Sequence, residues 1–123
     1  MVIPTFHYED AHGAIDFLEQ AFGFERHAVY EGAGGIVEHA ELKAAGGWLM
    51  LGSTRPDSPY DIGRQSVYVV IEGDVDAHCE RARAAGAKVF REPTDQDYGG
   101  RDYSCHDPEG NVWSFGTYSP AAA

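Results

Sequence analysis

His39 and Glu41, a histidine and a glutamate two residues apart, are the pair of side chains in this sequence best placed to do chemistry. Successive side chains of a β-strand point to opposite faces of the sheet, so residues i and i+2 point to the same face. An imidazole and a carboxylate on one face could bind a metal ion or move a proton. His7, on another predicted strand, could join them. Alternating polar residues are also typical of a strand that simply faces solvent, and this second interpretation stays open.

The strands that carry these side chains are expected to turn them towards a cavity. In the strand predicted around them, Ala40 and Leu42 share one face, opposite to His39 and Glu41. Because an apolar face packs against a helix, the polar face is expected to line the concave side of a curved sheet. The same argument turns Ser114 towards the cavity, since its bulky neighbours in the last predicted strand favour the helix side.

Three aromatic side chains are candidates to stack on a flat or cationic ligand, namely Trp48, Tyr68 and Tyr103. Such contacts contribute about 0.5 to 2 kcal/mol each. For Trp48 and Tyr68, a place in the hydrophobic core is an equally good interpretation. Three further histidines are assigned to surface or helix positions and given no role: His12, His27 and His78.

The chain contains the same order of elements twice, a strand, a helix and three more strands. Asp10 and Asp74 are each placed to cap a helix, because their carboxylates can accept hydrogen bonds from the free N–H groups of the first turn. Gly23 and Gly86 are each placed where a helix ends in the left-handed region. These two glycines are 63 residues apart, about half of the chain, as an internal duplication would leave them.

We therefore expect an α+β fold made of two βαβββ modules in tandem. The first module is predicted over residues 1–53 and the second over residues 66–120. Residues 54–65, which are rich in proline and glycine, are predicted to be the linker between them.

Composition restricts the function classes that fit. The 123 residues include 9 Lys and Arg against 20 Asp and Glu, a formal net charge of −11. This charge repels nucleic acid and anionic membrane surfaces, and it favours a cationic or metal-bearing small molecule. We expect no signal peptide, no membrane span and no disulfide framework, since Cys79 and Cys105 are the only cysteines. The expected compartment is a reducing cytoplasm.

Residues 107–115, with the sequence Asp-Pro-Glu-Gly-Asn-Val-Trp-Ser-Phe, resemble the final turn and strand of the vicinal oxygen chelate superfamily. This superfamily contains glyoxalase I, extradiol dioxygenases and the fosfomycin- and bleomycin-resistance proteins. Residues 10–24 and 74–87 resemble its two helical segments, so the resemblance covers nearly the whole chain, as one glyoxalase-like domain over residues 1–120. It implies curved sheets that form an open, barrel-like cup with the helices outside, and a homodimer that builds such cups between its subunits.

The enzymes of this superfamily hold a divalent metal ion with His, Glu or Gln side chains. Carried over to this sequence, the metal positions fall on Ile3, Glu41, Ser114, and Val67 or its neighbour Ser66. Only Glu41 is a good metal ligand, whereas a bound divalent ion normally needs three or more protein donors. The departure of this sequence from the family's ligand pattern therefore predicts a protein without a metal cofactor.

A replacement metal site remains the alternative. In this alternative, His7, His39 and Glu41 converge, helped by His106 or Tyr103 from the second half, and hold zinc, nickel or iron.

Two functions follow from these observations. The first is a metal-free binding protein of the bleomycin-resistance type, which sequesters a small cationic or aromatic ligand such as an antibiotic and has no identified catalytic residue. The alternative is a metal-dependent lyase, isomerase or dioxygenase, in which Glu41 could act as a general base. The predicted ligand cavity has seven members: His7, His39, Glu41, Trp48, Tyr68, Tyr103 and Ser114.

Overall fold

The computed structural model describes residues 1–122 and contains two α-helices and eight strands in that range. The first half holds β1 (Thr5–Tyr8), α1 (Ala11–Phe22), β2 (Glu25–Glu31), β3 (Val37–Ala44) and β4 (Gly47–Ser53). The second half holds β5 (Ser66–Val70), α2 (Val75–Ala84), β6 (Lys88–Asp95), β7 (Arg101–His106) and β8 (Val112–Gly116). This order confirms the predicted α+β fold of two tandem βαβββ modules.

Each module forms its own four-stranded mixed sheet. The strand orders are β1-β4-β3-β2 and β5-β8-β7-β6. The first strand of each module runs parallel to the last one, and the other neighbours are antiparallel. The two sheets are separate in the chain and are not closed into a barrel.

The helix ends are where the sequence predicts them. The Asp10 carboxylate accepts a hydrogen bond of 3.0 Å from the Gly13 N–H, and the Asp74 carboxylate accepts one of 3.1 Å from the Ala77 N–H. Gly23 ends α1 with φ at 73°, a conformation that costs other residues steric strain. Among residues 1–122, neither helix is long and apolar enough to cross a membrane.

The two modules share one hydrophobic core, which lies on the helix side of both sheets. Phe6 of β1 stacks on Trp113 of β8 with ring centroids 4.9 Å apart. Phe22, at the end of α1, lies 4.5 Å from the ring of Phe115. The helices also contact each other, so the sides of the sheets that face away from the helices stay on the outside of the chain.

One predicted cavity residue lies in this core instead. Tyr103 is fully buried, stacks on Phe115 at 5.5 Å and shares a hydrogen bond of 2.6 Å between its hydroxyl and the Nδ1 atom of His78 in α2. The expectation that Tyr103 lines the ligand cavity is therefore wrong. The reason is strand parity, since Tyr103 shares the helix side of β7 with Cys105.

Candidate functional site

The strand register gathers the remaining candidates on two surfaces. The module-1 face is the side of sheet β1-β4-β3-β2 that points away from α1, with His7, Tyr30, His39, Glu41, Trp48 and Met50. The module-2 face is the matching side of sheet β5-β8-β7-β6, with Tyr68, Arg91, Asp102, Ser104, His106 and Ser114. Six of the seven predicted cavity residues lie on these faces, four on the first and two on the second.

A histidine–carboxylate cluster occupies the middle of the module-1 face. The His39 Nε2 atom lies 2.9 Å from Glu41 Oε2, a hydrogen bond in which the imidazole N–H donates to the carboxylate. On the other side, His27 Nε2 lies 4.0 Å from Glu41 Oε1. About a third of the Glu41 side chain is exposed, so the carboxylate is within reach of a ligand on this face.

Trp48 completes the cluster with an aromatic ring. It lies opposite Lys43 in the register of β3 and β4, and the His27 ring packs edge-on against it at 5.0 Å. The Lys43 Nζ atom lies 5.9 Å from the centroid of the Trp48 ring, within the range of a cation–π contact. The half-buried indole can thus accept a positive charge near its face.

His7 lies next to the cluster, in a cavity of about 190 Å³ on the same face. His39 and Met50 line this cavity, and Tyr60 from the segment between the modules covers one side of it. The Tyr60 ring stacks on the His7 ring at 5.9 Å. Behind Tyr60, an ion pair between Arg55 and Glu38 attaches this segment to β3.

The residues present do not fit a divalent metal ion of the kind bound by the enzymes of this fold. Among residues 1–122, no three His, Cys, Asp or Glu side chains converge as a group that could hold one. Ser114, at one of the expected ligand positions, instead shares a hydrogen bond of 2.7 Å with Ser104 across the strands. Glu41 therefore has no complete ligand set around it in this part of the chain.

The module-2 face carries hydroxyl groups around a buried carboxylate. The Tyr68 hydroxyl donates a hydrogen bond of 2.9 Å to the carbonyl oxygen of Tyr118. Partial burial and the nearby Asp102 raise the pKa of this phenol, so it stays protonated at neutral pH. Asp102 itself is 3% exposed and accepts hydrogen bonds from Arg91, Gln96 and Tyr98.

The thiols are unsuited to nucleophilic chemistry. Cys79 and Cys105 are both buried free cysteines on the helix side of the second sheet. Burial raises the pKa of the Cys105 thiol to about 12 and also raises the pKa of Cys79. Since the thiolate is the reactive form, both side chains are inert at neutral pH.

Two side chains on the open faces are missed by the alternation argument, His27 and Phe90. Each lies at a β-bulge in the outer strand of its module, where the register shifts by one residue. The bulge turns an extra ring to the open face, so His27 meets Trp48, and Phe90 lies 4.7 Å from the ring of His106. The two residues have the same 63-residue offset as Gly23 and Gly86, so alignment of the two halves could have paired them.

Comparison with known proteins matches residues 5–115 to a family model described as the Glyoxalase/Bleomycin resistance protein/Dioxygenase superfamily. An uncharacterized protein of Mycobacterium bovis is 34% identical over 121 residues, which cover 92% of this chain and 80% of that protein.

Several solved structures have the same fold as this chain. TioX from Micromonospora sp. ML1 superposes with a TM-score of 0.78 and 30% identity, covering 97% of this chain and 96% of TioX. A glyoxalase/bleomycin resistance protein from Streptomyces sp. CB03234 superposes with a TM-score of 0.64 and 26% identity. The match covers 93% of this chain and 98% of the Streptomyces protein. The fosfomycin resistance protein FosX from Mesorhizobium loti, at 16% identity, has the same fold, with a TM-score of 0.66 and coverages of 99% and 94%.

Proposed function

The chain belongs to the glyoxalase/bleomycin resistance protein/dioxygenase superfamily, and we propose that it binds a small aromatic or cationic molecule, such as an antibiotic, without transforming it. One observation carries this proposal. The module-1 face brings Trp48, Glu41 and His39 together beside a cavity, and these groups recognise rings and positive charge.

A cationic group has two partners on this face. The Glu41 carboxylate offers opposite charge, and the Trp48 ring offers a π-face at which a ligand cation would replace the Lys43 ammonium. The formal net charge of −11 adds a long-range attraction for cations.

Binding without transformation is supported by the chemistry of the side chains. Glu41 has two imidazoles beside it, but among residues 1–122 no three His, Cys, Asp or Glu side chains are arranged as a group that could hold a catalytic divalent ion. The two thiols are buried and protonated. What the face does offer is stacking, hydrogen bonding and charge.

We further propose that a second copy of the chain covers these faces and completes a cup around the ligand. Both faces carry large exposed aromatic side chains. Tyr30 is 58% exposed and Phe90 is 55% exposed, and Tyr68 is exposed as well. Rings of this size in contiguous open sheet are typical of surfaces that bind a partner or ligand. Chain association at micromolar concentration, measured by analytical ultracentrifugation, is the expected result, and a strict monomer would contradict the shared cup.

The name of one similar protein supports an antibiotic as the class of ligand. The Streptomyces protein is described as a glyoxalase/bleomycin resistance protein. For this chain, sequestration fits better than chemical inactivation, because no metal-binding group of three is present among residues 1–122 and both thiols are buried.

The proposal is tested by titration calorimetry with 2-naphthylmethylammonium, a ring that carries one positive charge. We expect saturable binding that is weakened in Trp48→Ala and in Glu41→Gln. Glu80→Gln is the matched control, because it removes one exposed carboxylate from α2, away from the face. Binding that is unchanged in Trp48→Ala and Glu41→Gln, or no binding of any aromatic probe, would contradict the proposal.

A further inference from the structure

The two halves of the duplication carry opposite charges on their open faces. Glu25 and Glu41 of the module-1 face correspond, at the 63-residue offset, to Lys88 and Ser104 of the module-2 face. In the same way, Ala28 corresponds to Arg91. The module-2 face therefore gains cations where the module-1 face has carboxylates or no charge, although the chain as a whole is strongly acidic.

The module-1 face also has one cation, Lys43, and the module-2 face has one carboxylate, Asp102. The Asp102 carboxylate, however, is not open to a ligand. The Asp102 side chain is only 4% exposed and pairs with the guanidinium of Arg91, whose side chain is 46% exposed. A ligand on the module-2 face therefore meets the arginine rather than the carboxylate.

Arg91 is held in place for such a contact. Its Nη2 donates to Asp102 Oδ1, the acceptor that the structure gives this guanidinium among residues 1–122. Asp102 is fixed in turn by Gln96 Nε2 at 3.1 Å and by the Tyr98 hydroxyl at 3.3 Å. A guanidinium has five N–H donors in a planar fork, so Arg91 keeps donors for a second, exposed acceptor.

The neighbours of Arg91 suit a ring that bears an acidic group. The register places Arg91 opposite Ser104, whose hydroxyl is hydrogen-bonded to Ser114. The exposed ring of Phe90 precedes it at the bulge and packs on His106, which lies opposite Lys88. An oxyanion at Arg91 would thus have a cationic fork for its charge and an aromatic surface for its ring.

We propose that the module-2 face binds an oxyanion group of the ligand, a carboxylate or a phosphate, through Arg91, with Asp102 as its positioning residue. This inference rests on the proposed function, because it assigns chemistry to the same small ligand. The ligand class becomes an aromatic molecule that carries an acidic group, and it bears a positive charge as well if it also reaches Glu41.

The probes are 2-naphthoate and 2-naphthamide, which have nearly the same shape and differ in charge. By titration calorimetry at low salt, we expect wild-type protein to bind naphthoate more tightly than naphthamide. Arg91→Gln is expected to weaken naphthoate binding about tenfold, the size of one lost charge-assisted contact, and to leave naphthamide binding unchanged. Arg83→Gln is the matched control, because it removes one arginine from the same module on the helix side, where Arg83 pairs with Glu92.

A second variant keeps the inference testable if Arg91→Gln does not fold, since that substitution leaves the Asp102 carboxylate buried without its cation. The double variant Arg91→Gln/Asp102→Asn removes both charges and is expected to lose the naphthoate preference in the same way. If Arg91 serves only to neutralise Asp102, the double variant will keep that preference, and the inference is overturned.

The remaining outcomes separate this inference from the proposed function. If 2-naphthylmethylammonium binds and naphthoate binds no better than naphthamide, the oxyanion site is overturned and the proposed function stands. If naphthoate binds through Arg91 and the cationic probe does not bind, the oxyanion site stands and the cationic part of the proposed function fails. If no naphthyl probe binds, both are overturned.

Discussion

The hydroxyl of Tyr8 in β1 donates a hydrogen bond of 2.7 Å to the carboxylate of Asp107, a residue 99 positions further along the chain. Asp107 is 3% exposed and also accepts a hydrogen bond of 3.0 Å from the Trp113 indole N–H. The Asp-Pro-Glu-Gly turn therefore joins the two modules. The segment that carries the family resemblance stabilises the fold, and the groups proposed to bind a ligand lie elsewhere, on the open faces.

This junction predicts a stability effect. Tyr8→Phe is expected to lower the free energy of unfolding by about 1 to 3 kcal/mol, because it leaves a buried carboxylate short of one donor. Urea denaturation monitored by circular dichroism measures the change. Tyr30→Phe, which removes an exposed hydroxyl on the module-1 face, is the control and should change stability little. Equal effects of the two variants would show that the Tyr8–Asp107 bond does not stabilise the fold.

His78 predicts a dependence of stability on pH. Burial, followed by the charge of Arg81, lowers the pKa of this imidazole below its ordinary value of 6.5. The unfolded chain therefore binds a proton at His78 before the folded chain does. Its contribution to stability is complete above pH 6.5 and is lost as the pH falls from there to the lowered pKa of the folded state.

His78→Gln is expected to reduce this loss of stability at acid pH. The unfolding midpoint in denaturant, measured between pH 5 and 8, tests this. His12→Gln, at an exposed position on α1, serves as the control and should keep the wild-type slope. A wild-type slope that survives in His78→Gln would show that other groups cause the acid sensitivity.

The cysteines predict slow thiol chemistry. Because Cys79 and Cys105 are buried and their pKa values are raised, native protein should react very slowly with dithiobis-nitrobenzoate at pH 7.5. Both thiols should react at once in strong denaturant. Rapid release of the coloured thiolate by the native protein would contradict the packing of α2 on the second sheet.

Much of the fold can be predicted from sequence because local rules set it. The caps at Asp10 and Asp74 and the turn at Gly23 act through backbone hydrogen bonds and φ alone. The parity of β3 places His39 and Glu41 on the open face, because Ala40 and Leu42 are drawn into the core.

Other features depend on more than one strand. The parity rule, applied also to β7, would have assigned Tyr103 to the core, since Cys105 shares its side of the strand. His27 and Phe90 reach the open faces through bulges, which shift the register and break simple alternation. The contact between Arg91 and Asp102 arises only when β6 pairs with β7, so neither residue alone indicates a site.

That the module-1 face binds its ligand without a metal ion is tested most directly by elemental analysis of protein purified without chelator. We predict zinc, nickel and iron well below one atom per chain, with no difference between wild type and Glu41→Ala. A single tightly held metal ion per chain that is lost in Glu41→Ala would contradict the proposed function.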